Sequence, residues 1–299
     1  MMQVLSGSIV ALVTPMDENG LVDFNALKKL VDWHVKEGTN GIVAVGTTGE
    51  SATLEIDEHL EVVKSVVEYA DGRIPIIAGS GSNSTAQAIK TTSESYKIGA
   101  DYSLLVTPYY NKPSQKGLIE HYLKIADSCD IKQILYNVPS RTSCDLSPDT
   151  VEILSRHENI IGIKEAVNNK DRMNKLKKIS ELNKDFLVFS GDDETFLDLL
   201  SLGGNGVISV AANVIPKGIS EICKHYANNE NYAVELNKKY KYLYELLFIE
   251  SNPIPVKWMM YKMGLIKNSI RLPLIELDQK YQENIINEML KLELLWNSY

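Results

Sequence analysis

Short β-branched runs alternate with longer amphipathic stretches from the first residues to about residue 225, and this beat constrains the fold more than any other feature. The runs are Ser8–Thr14, Gly41–Gly46, Pro75–Ser80, Tyr102–Thr107, Gln133–Val138, Ile160–Glu165, Leu187–Ser190 and Gly206–Val210, eight in all. Several, such as GIVAVG and IIGIK, are apolar at consecutive positions, as strands buried on both faces of a parallel sheet should be. Between them, apolar residues recur at three- and four-residue intervals in Asn25–Glu37, Asp57–Ala70, Thr85–Ile98 and Lys116–Ser128, which predicts helices. Asp23, Asp57, Ser84 and Ser114 stand where an N-cap oxygen receives free backbone N–H groups, Ser84 with Gln87 three residues on as in a capping box. Gly38, Gly72 and Gly99 close three of these helices.

Eight strand–helix repeats predict an α/β chain, a (β/α)8 TIM barrel over residues 1–227. An open doubly wound sheet fits less well, because VTPMDENG follows the first strand where a dinucleotide fold carries a glycine-rich turn. Over residues 228–299 the strand runs stop, and YKYLYELLF, PVKWMMYKMGL and ENIINEMLKLELLW predict a C-terminal helical appendage. Their Tyr, Met and Trp content predicts packing on the barrel or on another subunit.

With 299 residues, 44% of them apolar, the chain can bury a full core. A net charge of −8 argues against nucleic acid, whose phosphates want clustered Lys and Arg. The apolar runs are strand-length and MMQVLSGSIV lacks the basic flank and long apolar stretch of a signal peptide, so a cytoplasmic protein with no membrane partner is expected. Cys129, Cys144 and Cys223 are scattered, which fits a reducing compartment and predicts no disulfide. His34, His59, His121, His157 and His225 show no paired ligand spacing and are expected on helix surfaces; neither a metal nor a cofactor is expected.

Barrel active sites lie at the C-terminal ends of the strands. There the chain places Thr47, Thr48, Tyr110, Tyr136, Arg141, Lys164, Asp192, Asp193, Ser209 and Asn213. A lysine inside IIGIKEAV is desolvated, which lowers its pKa and frees a neutral amine for Schiff-base chemistry; alternatively it is a structural cation paired with Glu165 or another barrel carboxylate. Tyr136 is either a proton shuttle, linked to solvent by a hydroxyl chain through Thr47 and Tyr110, or a barrel aromatic. Arg141 is either a planar fork for a substrate carboxylate or one arm of a surface ion pair, and Thr48 with nearby N–H groups suits a second carboxylate. Asp192 and Asp193 read as N-cap or first-turn acids, and Gly79-Ser80-Gly81-Ser82-Asn83 as a tight turn into a capped helix rather than a nucleotide loop.

Six blocks, GTTGES (46–51), TPYYNKPSQ (107–115), YNVPSRT (136–142), GIKEA (162–166), SGDD (190–193) and GVISVAANV (206–214), resemble the 4-hydroxy-tetrahydrodipicolinate synthase family, over nearly the whole length and in the family's order. The resemblance implies condensation of pyruvate with L-aspartate 4-semialdehyde on the diaminopimelate route to lysine. It makes Lys164 the imine-forming residue, Tyr136 the proton shuttle with Thr47 and Tyr110 in its relay, and Tyr110 a residue that enters the neighbouring subunit's site. It gives pyruvate to Thr48 and the backbone around Ile208, the semialdehyde carboxylate to Arg141, and the chain to a homotetramer of two tight dimers.

Sister lyases such as the N-acetylneuraminate lyases share barrel and lysine, but the Thr47-Thr48 pair and Arg141 within YNVPSRT resemble the synthases. A catalytically silent keto-acid-binding barrel is the other alternative, opposed by the intact Lys164, Tyr136, Thr47 and Tyr110. Many family members are inhibited by lysine at the dimer interface. Ser51, Ala52, His59, Asn83 and Tyr109 match that pattern, whereas Ile56 replaces a frequent His and Gln87 a frequent Glu. Losing the carboxylate that faces the inhibitor's amino group predicts weak or absent lysine inhibition.

Overall fold

In a computed structural model describing residues 5–295, eight parallel strands close on themselves: β1 (Gly7–Ala11), β2 (Gly41–Ala44), β3 (Ile76–Gly79), β4 (Tyr102–Val106), β5 (Lys132–Asn137), β6 (Ile160–Glu165), β7 (Leu187–Ser190) and β8 (Gly206–Ser209). Each pairs with the next, and β8 pairs back onto β1 with Ile9 opposite Ile208, so the sheet has no edge. Every strand falls on one of the eight runs read from the sequence.

The connecting helices are α1 (Phe24–Lys36), α2 (Ile56–Ala70), α3 (Thr85–Ile98), α4 (Gln115–Ala126), α5 (Pro139–Thr142), α6 (Pro148–Leu154), α7 (Lys170–Leu182), α8 (Phe196–Ser201) and α9 (Pro216–Tyr226). Asp23, Ser84 and Ser114 cap α1, α3 and α4 as expected, each side chain accepting a backbone N–H of the first turn. Asp57 does not cap α2: Glu55 is the N-cap, and Asp57 lies in the first turn, where its charge meets the helix dipole.

Alternation along the strands divides the core in two. Ile9, Ala11, Val43, Ile77, Leu104, Ile134, Tyr136, Phe189 and Ile208 fill the barrel, while neighbours such as Ile42, Leu105, Leu135 and Ile163 pack outward against the helices. Burial of each such aliphatic side chain contributes about 1.5–3 kcal/mol.

Three more helices follow, α10 (Glu230–Leu246), α11 (Ile254–Lys262) and α12 (Gln279–Lys291); Trp296, the last residue of the third predicted stretch, lies outside the described residues. Val256, Met259 and Met260 of α11 are fully buried in the same apolar cluster as Val10, Leu12 and Met16. Residues beyond 228 therefore pack on the barrel itself. Among the described residues no helix is long and apolar enough to cross a membrane.

His34, His59 and His121 overturn one expectation: they are buried, not on helix surfaces. Each occupies the inner face of its helix, and His34 and His121 engage one ring nitrogen with a threonine hydroxyl, Thr39 and Thr85, at 2.9 Å in both cases.

Candidate active site

At the C-terminal rim of the barrel a cavity of about 570 Å³ is lined by residues from most strand ends, among them Thr47, Thr48, Tyr136, Arg141, Lys164 and Asp192. β5 and β6 pair so that Tyr136 stands opposite Lys164 and Asn137 opposite Glu165. The first pair points into the barrel and the second away from it. Glu165 consequently does not neutralise Lys164; it accepts from Asn137 Nδ2 and Arg172 Nη1, each at 3.1 Å, and from the Val167 N–H at 2.8 Å.

Lys164 is 5% exposed, and its Nζ lies 4.3 Å from the centre of the Tyr136 ring. Burial lowers its pKa to about 8; the Asp193 carboxylate opposes that shift and the Arg141 charge adds to it. Gly191 makes the space, since a Cβ there would stand 3.0 Å from Lys164 Cε. Burial raises the Tyr136 phenol, with the Arg141 charge and the nearby Thr47 hydroxyl pulling it down again.

Asp193 is neither an N-cap nor a first-turn residue of α8, which begins after Thr195. Its buried carboxylate accepts from Ser209 Oγ at 2.5 Å and from the Val210 and Ala211 N–H groups at 2.9 Å each, so it caps the 3-10 turn Ala211–Asn213 after β8. Asp192 instead receives the Thr195 hydroxyl at 2.5 Å and faces the cavity. The loop after β3 leads into the capped helix α3 as expected, Ser84 Oγ accepting the Gln87 N–H at 3.4 Å, but it holds a bend at Asn83 and Ser84 in place of the expected tight turn. Among the described residues no group of three or more His, Cys, Asp or Glu is placed to hold a metal ion.

Five of the seven expected site residues, Lys164, Tyr136, Thr47, Thr48 and Arg141, share the cavity wall. The other two do not. Ile208 is buried in the barrel interior, and Val210, two residues on, lines the cavity. Tyr110 stands 89% exposed at φ 73° and touches neither this cavity nor its neighbour.

Sequence reading missed the contribution of the segment between α10 and α11. Phe248, Ser251 and Asn252 line the cavity, and Asn252 Nδ2 donates to Thr48 Oγ1 at 3.0 Å. It also missed what holds the Thr47-Thr48 loop from behind: Lys257 of α11 forms a buried ion pair with Glu50 and donates to the Thr14 carbonyl at 3.1 Å. The loop is under backbone strain, with Val45 at φ 54° and Glu50 at φ 59°, conformations that non-glycine residues rarely adopt. Only a lysine within the apolar PVKWMM stretch hinted at this.

A second cavity of about 280 Å³ opens beside the first and shares Thr47, Ser51 and Arg141 with it. Ala52, Ile56, His59, Gln87 and Tyr109 complete much of its wall, and Asn83 donates to the Tyr109 carbonyl at 3.2 Å. Burial lowers the pKa of His59 to about 4, against a backbone bond with Gly79 that raises it.

Compared with known proteins, residues 4–291 match the sequence profile of the dihydrodipicolinate synthetase family. The chain belongs to this family. The 4-hydroxy-tetrahydrodipicolinate synthase of Stutzerimonas stutzeri is 54% identical over 286 residues, 95% of this chain and 97% of that one. The chloride-inhibited dihydrodipicolinate synthase of Acinetobacter baumannii, solved with pyruvate, superposes with a TM-score of 0.94 at 50% identity, covering 97% of this chain and 100% of that one. The family enzyme of Cyanidioschyzon merolae, solved with lysine bound, gives a TM-score of 0.94 at 37% identity over 98% of this chain and 100% of that one. The blocks quoted from the sequence thus lead to the family that the whole-chain comparison assigns.

Proposed function

We infer that this chain has 4-hydroxy-tetrahydrodipicolinate synthase activity, a lyase condensing pyruvate with L-aspartate 4-semialdehyde for the diaminopimelate route to lysine. The observation that carries the reading is a buried Lys164 amine, in no ion pair among the described residues, 4.3 Å from the Tyr136 ring centre in a cavity that also holds Arg141 and Thr48.

The neutral Lys164 amine attacks the carbonyl carbon of pyruvate, and the carbinolamine loses water to give an imine. Loss of a methyl proton yields the enamine. Its carbon attacks the aldehyde carbon of the semialdehyde, forming the new C–C bond, while the aldehyde oxygen takes a proton; the semialdehyde's amino group then attacks the imine carbon, closing the ring and expelling Lys164 as the free amine. Tyr136 moves these protons, with the Thr47 hydroxyl as its first relay partner. Thr48 and the backbone at the end of β8, from Ile208 onward, hold the pyruvate carboxylate, and the Arg141 fork takes the semialdehyde carboxylate.

Tyr110, exposed and turned from its own cavity, completes the relay in a neighbouring subunit, so the working unit is a dimer and the assembly a homotetramer of two such dimers. A cytoplasmic site of action suits the three free cysteines. The second cavity is the seat of lysine regulation, weakened by the uncharged Gln87.

Borohydride reduction in the presence of pyruvate, followed by peptide mass analysis, tests the nucleophile. Pyruvate fixed on Lys164 supports the reading; none, from a folded protein, overturns it.

A further inference from the structure

Thr48 serves a carboxylate only if its hydroxyl donates. A hydroxyl carries one proton and two acceptor lone pairs, so its direction is set by its neighbours. The decisive neighbour is Asn252, 204 residues away, whose Nδ2 donates to Thr48 Oγ1 at 3.0 Å. Occupying the oxygen with an N–H leaves Thr48 to send its own proton elsewhere, and both residues border the main cavity. Asn252 is 5% exposed and its Oδ1 has no partner, so the contact with Thr48 is the one hydrogen bond its side chain makes among the described residues. Its backbone carbonyl accepts from Arg141 Nη2 at 3.5 Å. One residue from the connection between α10 and α11 therefore touches both groups given to the two substrate carboxylates.

Resting on the function proposed above, we propose that Asn252 is a positioning residue that makes Thr48 a hydrogen-bond donor and so sets affinity for the keto-acid carboxylate. The isosteric change Asn252→Asp is the sharpest probe. A carboxylate in that place accepts the Thr48 proton, turns the hydroxyl from the cavity, and sets a negative charge beside the substrate's own. Asn252→Ala removes the amide without adding charge.

Steady-state kinetics with pyruvate as the varied substrate, with folding checked by thermal melting, separates the effects. For Asn252→Asp the KM for pyruvate rises about ten-fold or more while kcat changes by less than about three-fold. Asn252→Ala gives a smaller rise, and that rise vanishes in a Thr48→Val background because the hydroxyl it acted on is gone. An unchanged KM in a folded Asn252→Asp protein overturns the proposal, as does a purely additive Asn252→Ala/Thr48→Val pair; the cycle decides alone if the aspartate variant does not fold. Borohydride trapping on the parent is run in parallel. A parent without an imine defeats the function itself, whereas a trapped parent with an insensitive Asn252→Asp defeats only the role of Asn252.

Discussion

Lys164 has to be buried to be a nucleophile and accessible to be a useful one, and both follow from its place at the inner end of β6. Burial brings its pKa to about 8, so the neutral amine is lost as pH falls below that value. We expect kcat/KM for pyruvate to climb with pH through about 8 and then level. An acidic limb near the ordinary lysine value of 10.5 would contradict burial as its cause. Tyr136→Phe keeps the ring beside the amine and removes only the phenol; it should slow the rate of imine trapping with pyruvate and slow condensation by about 10²–10⁴-fold. The sequence pointed to Lys164, Tyr136, Thr47, Thr48 and Arg141 because all lie beside strand ends that its hydrophobic pattern locates. Asn252 was invisible there, since its meaning comes from a contact with Thr48 across 204 residues and no local pattern encodes such a distance.

Among the elements, the strands were the most legible, because burial on both faces leaves an unbroken apolar run such as IIGI before Lys164. Helix starts were legible where a side chain caps, as at Ser84, and misplaced at α2, whose N-cap Glu55 makes no side-chain bond. The histidines of α1, α2 and α4 misled because a titratable side chain reads as polar, although each sits on its helix's buried stripe. The least legible device was the brace between α11 and the β2–α2 loop, where Lys257 and Glu50 neutralise each other out of water and Arg271 adds an N–H to Glu50 at 3.1 Å. Lys257→Met strands the Glu50 carboxylate in the core, and we expect a loss of about 3–5 kcal/mol in denaturant unfolding. Adding Glu50→Gln to that variant should recover part of the loss. A Lys257→Met protein as stable as the parent would show that the pair contributes nothing to holding the loop.

At the scale of the molecule, buried histidines tie stability to pH. Burial lowers the pKa of His34 from 6.5 to about 3 and those of His59 and His121 to about 4. The unfolded chain therefore binds more protons than the folded one below 6.5, and these groups withdraw stability as pH falls from there towards about 4. Glu165 and Asp193, raised by burial from 4.5 to about 7 and from 3.8 to about 6, act in the opposite sense over most of that range. His34→Gln should flatten the acid loss by up to about 1.4 kcal/mol per pH unit, read from unfolding curves across the window; an unchanged slope would remove His34 from the balance. The second cavity makes a separate prediction. Lysine should inhibit weakly, Gln87→Glu should strengthen inhibition by restoring a carboxylate, and half-inhibition of the parent at low submillimolar lysine would contradict this. Most direct of all is a condensation assay with pyruvate and L-aspartate 4-semialdehyde, coupled to the downstream reductase, on the parent and on Lys164→Ala. Turnover by the parent and none by a folded Lys164→Ala is the expected result. No turnover by a folded parent, or equal turnover by the two, would contradict the central claim that this barrel condenses the two substrates on Lys164.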